Sequence, residues 1–253
     1  MKKVLNTGLS GLAAGMILYI AAFIYYKILG DGAASPITAL AAPAMLAAGL
    51  LAANLGKLKM FAGAAGYFLY EKPLLKSTGN LLLIYAANFA GCFIMHNLFR
   101  FSFLLPGLIS GTETTLNELF SGACQSAVSA AYNAVSNSFG TDAEVFGSFF
   151  IWFIVRSMVC GILTFIGVEY YKRAGKFYML ILAVFGYTIG GFSNCMTTLT
   201  GVLLATAVYS FSFAAQFIII STTALGNLLG GILASAVLRA VGNTAEPAGA
   251  ENK

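Results

Sequence analysis

The sequence predicts an all-α membrane protein with six transmembrane helices, arranged as two inverted three-helix repeats in which helices two and five are broken. Three observations lead to this prediction. The composition suits a bilayer and not water, six apolar segments are long enough to cross a membrane, and two of those segments carry polar interruptions at equivalent places.

The composition determines the class. Of 253 residues, 59% are hydrophobic and only 9% are charged, with a mean hydropathy of +0.84. A soluble domain carries about 25% charged residues. A surface so poor in charge would aggregate in water but is stable in lipid, so the bilayer is an expected partner. The net charge of +5 does not indicate nucleic acid, because the basic residues cluster at segment ends, as they do in cytoplasmic loops.

The chain is predicted to form a single transmembrane pore domain. The six spans cover residues 7–28, 37–69, 79–105, 146–170, 177–209 and 214–241. Within the domain, residues 1–241, repeat one is 7–105, an outer loop is 106–145, repeat two is 146–241, and 242–253 form a disordered cytoplasmic tail. Short basic loops at 71–78 and 171–176 place both termini in the cytoplasm by the positive-inside rule.

The second and fifth spans are too long for one straight crossing, and each is interrupted near its middle. The first interruption runs from Asn54 to Gly63 and the second from Gly190 to Thr198. Polar, glycine-rich backbone at membrane depth is tolerated where it lines a cavity or is enclosed by protein. An offset of 139, read from Asn88 and Asn227, aligns all three pairs of spans without gaps. This pattern predicts a transport site between inverted repeats.

No motif indicates catalysis or a bound cofactor. The sequence has no H-E-x-x-H and no G-x-S-x-G, and its spans contain no cluster of histidines or carboxylates. The four cysteines lack ligand-like spacing. We therefore expect no enzyme activity, no cofactor and no metal.

Five short elements in order resemble the formate/nitrite transporter family. They are Gly11-Leu-Ala-Ala-Gly15, Lys59-Met-Phe-Ala-Gly63, Asn88-Phe-Ala-Gly91, Gly191-Phe-Ser-Asn-Cys195 and Leu225-Gly-Asn-Leu-Leu-Gly-Gly231. The resemblance covers most of the chain. It implies an aquaporin-like protomer, a homopentamer, and a place in a bacterial inner membrane.

The sequence differs from the family at the residues that line the centre of the family's pore. The position of the family's pore histidine is Asn194, and that of the glutamate before it is Ser193. The threonine that partners the histidine aligns with Ala62, and the acidic residue of the second-helix element with Lys59. An outer-loop lysine aligns near Gly140.

One further departure adds a positive charge, because an asparagine of helix four aligns with Arg156. The chain is therefore interpreted as a divergent member that lacks the central pore histidine.

The resemblance places two sets of residues along the pore. The selectivity set is Asn194, Lys59, Arg156, Ser193, Thr198, Asn227 and Asn88. The constriction set is Leu46, Leu50, Tyr187, Met60 and Phe61. Other roles stay open: Lys57 and Lys59 can extend to the cytoplasmic interface, Arg156 can clamp a break, and the apolar residues can simply pack. The lone His96 does not match the family position.

Three functions follow from this interpretation. The first is a channel for a small monovalent anion of the formate/nitrite type, without histidine-based proton coupling. Asn194 supports this because an amide does not titrate. The second is a pore of the same fold for a small neutral solute. The third is a membrane protein whose transport site has decayed.

Overall fold

The computed structural model describes residues 2–32, 35–68, 73–110, 116–139, 143–209 and 212–241. Every regular element in these ranges is an α-helix. The helices are α1 (Lys2–Asp31), α2 (Pro36–Leu55), α3 (Phe61–Ala65), α4 (Leu74–Ser110), α5 (Leu116–Phe139), α6 (Ala143–Ala174), α7 (Tyr178–Ile189), α8 (Cys195–Ala205) and α9 (Phe213–Ala240). The predicted tail, 242–253, and the aligned position Gly140 lie outside the described residues.

Five of these helices are long and apolar enough to cross a membrane. They are α1, α2, α9, residues 74–102 of α4 and residues 150–174 of α6. The helices α7 and α8 are also apolar but shorter. The prediction of an all-α membrane protein is therefore confirmed.

The helices pack as two similar groups. In the first, α1 lies along α4 and beside α2; in the second, α6 lies along α9 and beside α7. Glycines make the two long contacts close, because a Cβ on Gly15 would lie 2.1 Å from the Asn88 carbonyl oxygen and one on Gly161 would lie 2.3 Å from that of Asn227. Small residues at such crossings let helix backbones approach each other.

Two helix interruptions lie at equivalent places in the two groups. The chain leaves α2 at Leu55 and re-enters a helix at Phe61, and it leaves α7 at Ile189 and re-enters one at Cys195. The same backbone pattern closes both helix ends. The Leu58 N–H donates to the Ala53 carbonyl at 2.9 Å, and the Phe192 N–H donates to the Tyr187 carbonyl at 2.8 Å.

The predicted gapless register between the repeats is wrong. Asn227 does lie 139 positions after Asn88, but the structural partner of Phe61 is Cys195, 134 positions later. The partner of Gly11 is Ser157, 146 positions later. The connections between helices differ in length between the two groups, so no single offset aligns all three pairs of helices.

The segment predicted as an outer loop contains a full helix. Within that segment α5 runs for 24 residues, with a kink at Cys124. It packs against α1 and α8 and buries Phe120, Ala127 and Ala131 completely. The small residues of α5 allow this close packing.

The two interruptions differ in the residue that occupies one position with a left-handed backbone conformation. Each contains a left-handed residue at the same place: Gly191 has φ +66°, and its equivalent Lys57 has φ +52°. A side chain in this conformation costs about 1–2 kcal/mol, whereas glycine adopts it freely. The first interruption thus has a lysine where the second has a glycine.

We expect Lys57→Gly to stabilise the protein by about 0.5–1 kcal/mol. Relief of the left-handed strain is worth ~1–2 kcal/mol, and the entropy that glycine adds to the unfolded chain offsets ~0.4–1 kcal/mol of it. The four cysteines are buried, so a thiol-reactive dye reports unfolding during a thermal ramp in detergent. Lys57→Ala, which removes the charge but keeps a Cβ, is the control and is expected to show no gain.

Candidate pore

Three cavities lie in sequence through the helix bundle, and both interruptions contribute to them. We call them the lysine cavity, the central cavity and the arginine cavity. Their volumes are about 710, 20 and 280 Å³. The central cavity shares Met60 with the lysine cavity and shares Tyr187, Asn194 and Thr197 with the arginine cavity. The arrangement is therefore two wide chambers, the lysine and arginine cavities, on either side of a narrow central cavity, which we call the neck.

The central cavity is narrow and mostly apolar. A cavity of about 20 Å³ accommodates one water, which needs roughly 10–15 Å³. Its side chains are almost completely buried: Leu46, Leu50, Met60, Phe61, Tyr187 and Asn194 are 4–8% exposed. The structure thus brings together all five residues of the predicted constriction set. Phe61 also packs on the ring of Tyr85, with ring centroids 4.9 Å apart, so it has a packing role as well.

Asn194 contributes a polar side chain to this neck. Its hydrogen bonds determine how the side-chain amide is oriented. It is the N-cap of α8, and its Oδ1 accepts from the Met196 N–H at 3.0 Å and from the Thr197 N–H at 3.5 Å. Because a backbone N–H only donates, the atom it meets must be the amide oxygen. The Nδ2 amino group is the part of the amide that the cap does not use; it is a hydrogen-bond donor and lies within hydrogen-bonding reach of the Cys160 thiol.

The arginine cavity contains three further members of the predicted selectivity set. Arg156, Ser193 and Thr198 all line it. The guanidinium of Arg156 donates to the Gly191 carbonyl within the α7–α8 interruption. Arg156 therefore acts as the clamp that was one of its two possible roles, and it also lies beside the open space of the cavity.

The lysine cavity contains Lys59, the other cation of the predicted selectivity set. The Lys59 Nζ donates to the Thr7 hydroxyl at 2.8 Å, and the Lys59 N–H donates to the Ser10 hydroxyl at 3.0 Å. Lys57 and Lys172 line the same cavity. An ammonium has three donors, so the bond to Thr7 leaves Lys59 able to bind another acceptor.

Asn88 and Asn227 have a structural role that the sequence analysis did not predict. The Asn88 Oδ1 accepts from the Phe61 N–H at 2.9 Å, and its Nδ2 donates to the carbonyls of Gly11 at 2.8 Å and Lys59 at 2.9 Å. Each side chain thus ties a long helix to an interruption.

Asn227 repeats this pattern in the second group of helices. It accepts from the Cys195 N–H at 2.8 Å and donates to the carbonyls of Ser157 at 2.7 Å and Ser193 at 3.0 Å. Among the described residues, neither asparagine is in the lining of the three cavities.

Several lining residues were missed. The adjacent Tyr25 and Tyr26 line the arginine cavity, and the Tyr26 hydroxyl donates to the Thr197 carbonyl at 3.2 Å. Two tyrosines at the end of a span resemble an ordinary interfacial belt, so their position gave no distinct signal. Val135 of α5 also lines this cavity. His96 lies away from the three cavities and meets the Tyr19 hydroxyl through Nδ1 at 2.9 Å.

Comparison with solved structures identifies the fold. A pentameric formate channel with formate bound matches with a TM-score of 0.65 and 17% identity, over 95% of this chain and 96% of that one. An FNT family ion channel matches with a TM-score of 0.68 and 14% identity, over 94% of this chain and 90% of that one. Neither a family model nor a curated protein matches the sequence. The chain therefore has the fold of these two channels, the fold that its resemblance to the formate/nitrite transporter family implies.

Proposed function

We propose that the protein is a transmembrane channel for a small monovalent anion of the formate/nitrite type. The observation that carries the proposal is the series of cavities, with cations in both chambers and a donor-presenting amide in an apolar neck. Six crossings are formed by α1, α2–α3, α4, α6, α7–α8 and α9, as two inverted repeats. The match to a formate channel along almost the whole chain supports transport over catalysis.

The geometry suggests how an anion would pass. Lys59 on one side and Arg156 on the other raise the local anion concentration in each chamber. In the neck, apolar walls remove hydration water, so weakly hydrated monovalent ions are favoured. The Asn194 amino group then replaces part of the lost hydration, because it offers N–H donors to an anionic oxygen.

Passage by this route is not coupled to a proton through the neck. Asn194 neither gains nor loses a proton in the physiological range. The neck-lining residues that the structure describes otherwise include only Tyr187 as a group with an ionisable proton. We therefore propose downhill anion flux.

We also propose an orientation of the protein in the membrane and an oligomeric state. The lysine cavity lies at the end of the bundle that holds the start of α1 and the ends of α6 and α9, where Lys172, Arg173 and Arg239 lie. The positive-inside rule makes that end cytoplasmic, with both termini on that side of a bacterial inner membrane. By analogy with the pentameric formate channel we propose a homopentamer, tested by light scattering of the detergent complex against five times the 26.5 kDa chain mass.

Flux into proteoliposomes tests the channel function. Uptake of labelled formate and nitrite, compared with swelling driven by urea or glycerol, separates the hypotheses. Anion uptake above that of empty liposomes supports the proposal. Swelling with uncharged solutes alone would assign the protein to the neutral-solute alternative, and no flux of either kind would indicate a decayed site.

Arg156→Gln is expected to lower formate flux about tenfold. A unit charge is worth about 4 kcal/mol at 4 Å and an effective dielectric of about 20, and greater distance and salt reduce that value to the order of a tenfold effect. Formate uptake at low and high ionic strength measures the effect, which should shrink as salt rises.

Arg156→Lys, which keeps the charge, is the control for that experiment and should retain most of the flux. Equal losses in the glutamine and lysine variants would show that the clamp on Gly191, and not the charge, is what matters.

A further inference from the structure

Tyr187 lies where the neck meets the arginine cavity. Among the described lining residues, the two cavities share Tyr187, Asn194 and Thr197, all of which are polar. The ring of Tyr187 belongs to the same buried cluster as Leu46 and Leu50, and the whole residue is 4% exposed. The sequence analysis treated Tyr187 as part of an apolar constriction, but at this junction its hydroxyl is as important as its ring.

The Tyr187 hydroxyl differs from those of other buried tyrosines. The Tyr19 hydroxyl lies 2.9 Å from His96 Nδ1. The Tyr26 hydroxyl donates to the Thr197 carbonyl at 3.2 Å. Within the part of the chain that the structure describes, the Tyr187 hydroxyl has no hydrogen-bond partner. Buried polar groups in native proteins are almost always paired, so this exception requires a physical explanation.

The Tyr187 hydroxyl borders open space. In the described residues, the Ser157 hydroxyl is completely enclosed without a partner, whereas the Tyr187 oxygen is not enclosed in this way. Because Tyr187 is buried and lines the neck, the space that its oxygen meets belongs to the candidate anion path. The neck has a volume of about 20 Å³, so whatever passes through it comes close to this hydroxyl.

The other polar groups of the junction are partly used by the protein. The Asn194 Oδ1 caps α8, and its amino group lies within reach of the Cys160 thiol, so one of the two N–H donors has a partner. Thr197 adds a second hydroxyl, but an aliphatic hydroxyl is a weaker donor than a phenol because it is less acidic. Tyr187 is therefore the strongest uncommitted donor among the described residues of the junction.

We propose that the Tyr187 hydroxyl is a specificity-determining donor, which hydrogen-bonds an oxygen of the anion as the anion passes between the arginine cavity and the neck. Apolar walls alone favour the anion that loses water most easily, and therefore favour bromide over formate. A directed O–H donor favours formate and nitrite, because their charge lies on oxygen atoms that accept short, strong hydrogen bonds. Bromide spreads its charge over one large atom and gains less. This role rests on the proposed channel function.

Tyr187→Phe removes the hydroxyl and keeps the ring. We expect the ratio of formate flux to bromide flux in proteoliposomes to fall about tenfold, the size of one hydrogen bond to a charged group. Both anions are measured on the same liposome preparation, so the ratio does not depend on how much protein is incorporated. Tyr19→Phe is the matched control, because Tyr19 is buried but lies outside the described linings of the three cavities. Its flux ratio should equal that of the wild type.

Thermal unfolding separates recognition of the anion from a structural role. Because the Tyr187 hydroxyl has no partner in the described part of the protein, Tyr187→Phe should unfold at or above the wild-type temperature in the thiol-dye assay. Tyr19→Phe should unfold at a lower temperature, since it loses the hydrogen bond to His96.

Two results would overturn the role of Tyr187. One is an unchanged ratio of formate to bromide flux in a folded Tyr187→Phe variant. The other is an unfolding temperature lowered as far as that of Tyr19→Phe, which would assign the hydroxyl to the protein's own structure. Either result in a protein that carries formate leaves the channel function standing. A wild type that carries neither anion refutes the channel function, and the role of Tyr187 with it.

Discussion

An Asn194→Asp variant is expected to fold normally and to lose about 100- to 1,000-fold of its formate flux. Aspartate caps a helix as well as asparagine does, so α8 keeps its two N-terminal hydrogen bonds. The new carboxylate, however, places a negative charge in a neck of about 20 Å³. At about 4 Å and an effective dielectric near 20, its repulsion of a passing anion is roughly 4 kcal/mol.

Initial rates of labelled formate uptake measure this loss, and thermal unfolding confirms that the variant is folded. Asn194→Ser is the control, because serine also caps the helix but adds no charge. Its flux should fall below that of the wild type but stay well above that of the aspartate variant, because serine removes the amide N–H donors without introducing a repulsive charge. If the aspartate variant carried formate at the wild-type rate, Asn194 would not border the anion path.

Replacing Asn88 or Asn227, which tie the long helices to the interruptions, should produce the largest loss of stability. We expect Asn88→Leu and Asn227→Leu each to lower the free energy of unfolding by about 3–5 kcal/mol. Each change leaves two carbonyls and one N–H without the partners that the structure gives them. An unsatisfied buried group costs roughly 1–3 kcal/mol.

The thiol-dye assay measures this effect, since the cysteines become reactive only as the bundle opens. The matched control is Asn97→Leu on α4. Asn97 is exposed, and its amide donates only to the Phe93 carbonyl within its own helix. We expect the control to unfold near the wild-type temperature. An Asn88→Leu or Asn227→Leu variant as stable as this control would show that the interruptions keep their structure without the asparagine.

The candidate neck was more predictable than its surroundings. The family resemblance assigned Leu46 and Tyr187 to the outer side of the pore constriction and Phe61 to its inner side, and the structure brings all three to one cavity. That resemblance depends on local motifs at the interruptions, and local motifs are visible in a linear sequence. The contributions of Tyr25 and of α5 to the arginine cavity carry no such motif.

The roles of Asn88 and Asn227 show a different limit. Both were expected beside the solute, because the family resemblance placed them in the selectivity set. In the structure their amides are hydrogen-bonded to backbone groups of the interruptions and of the long helices α1 and α6. A polar residue has the same sequence signature whether it serves a solute or the protein's own backbone.

By itself, the sequence determined that this is an all-α membrane protein and where its helices are interrupted. Both properties arise from hydropathy and from glycine and polar residues that are close together in the chain. Only the tertiary structure decided the true register of the repeats, the packing of α5, and the side of Asn194 that faces the neck. These depend on contacts between residues far apart in sequence, such as Asn88 with Gly11, which are separated by 77 positions. No local pattern encodes such a contact, because it exists only once the helices have packed.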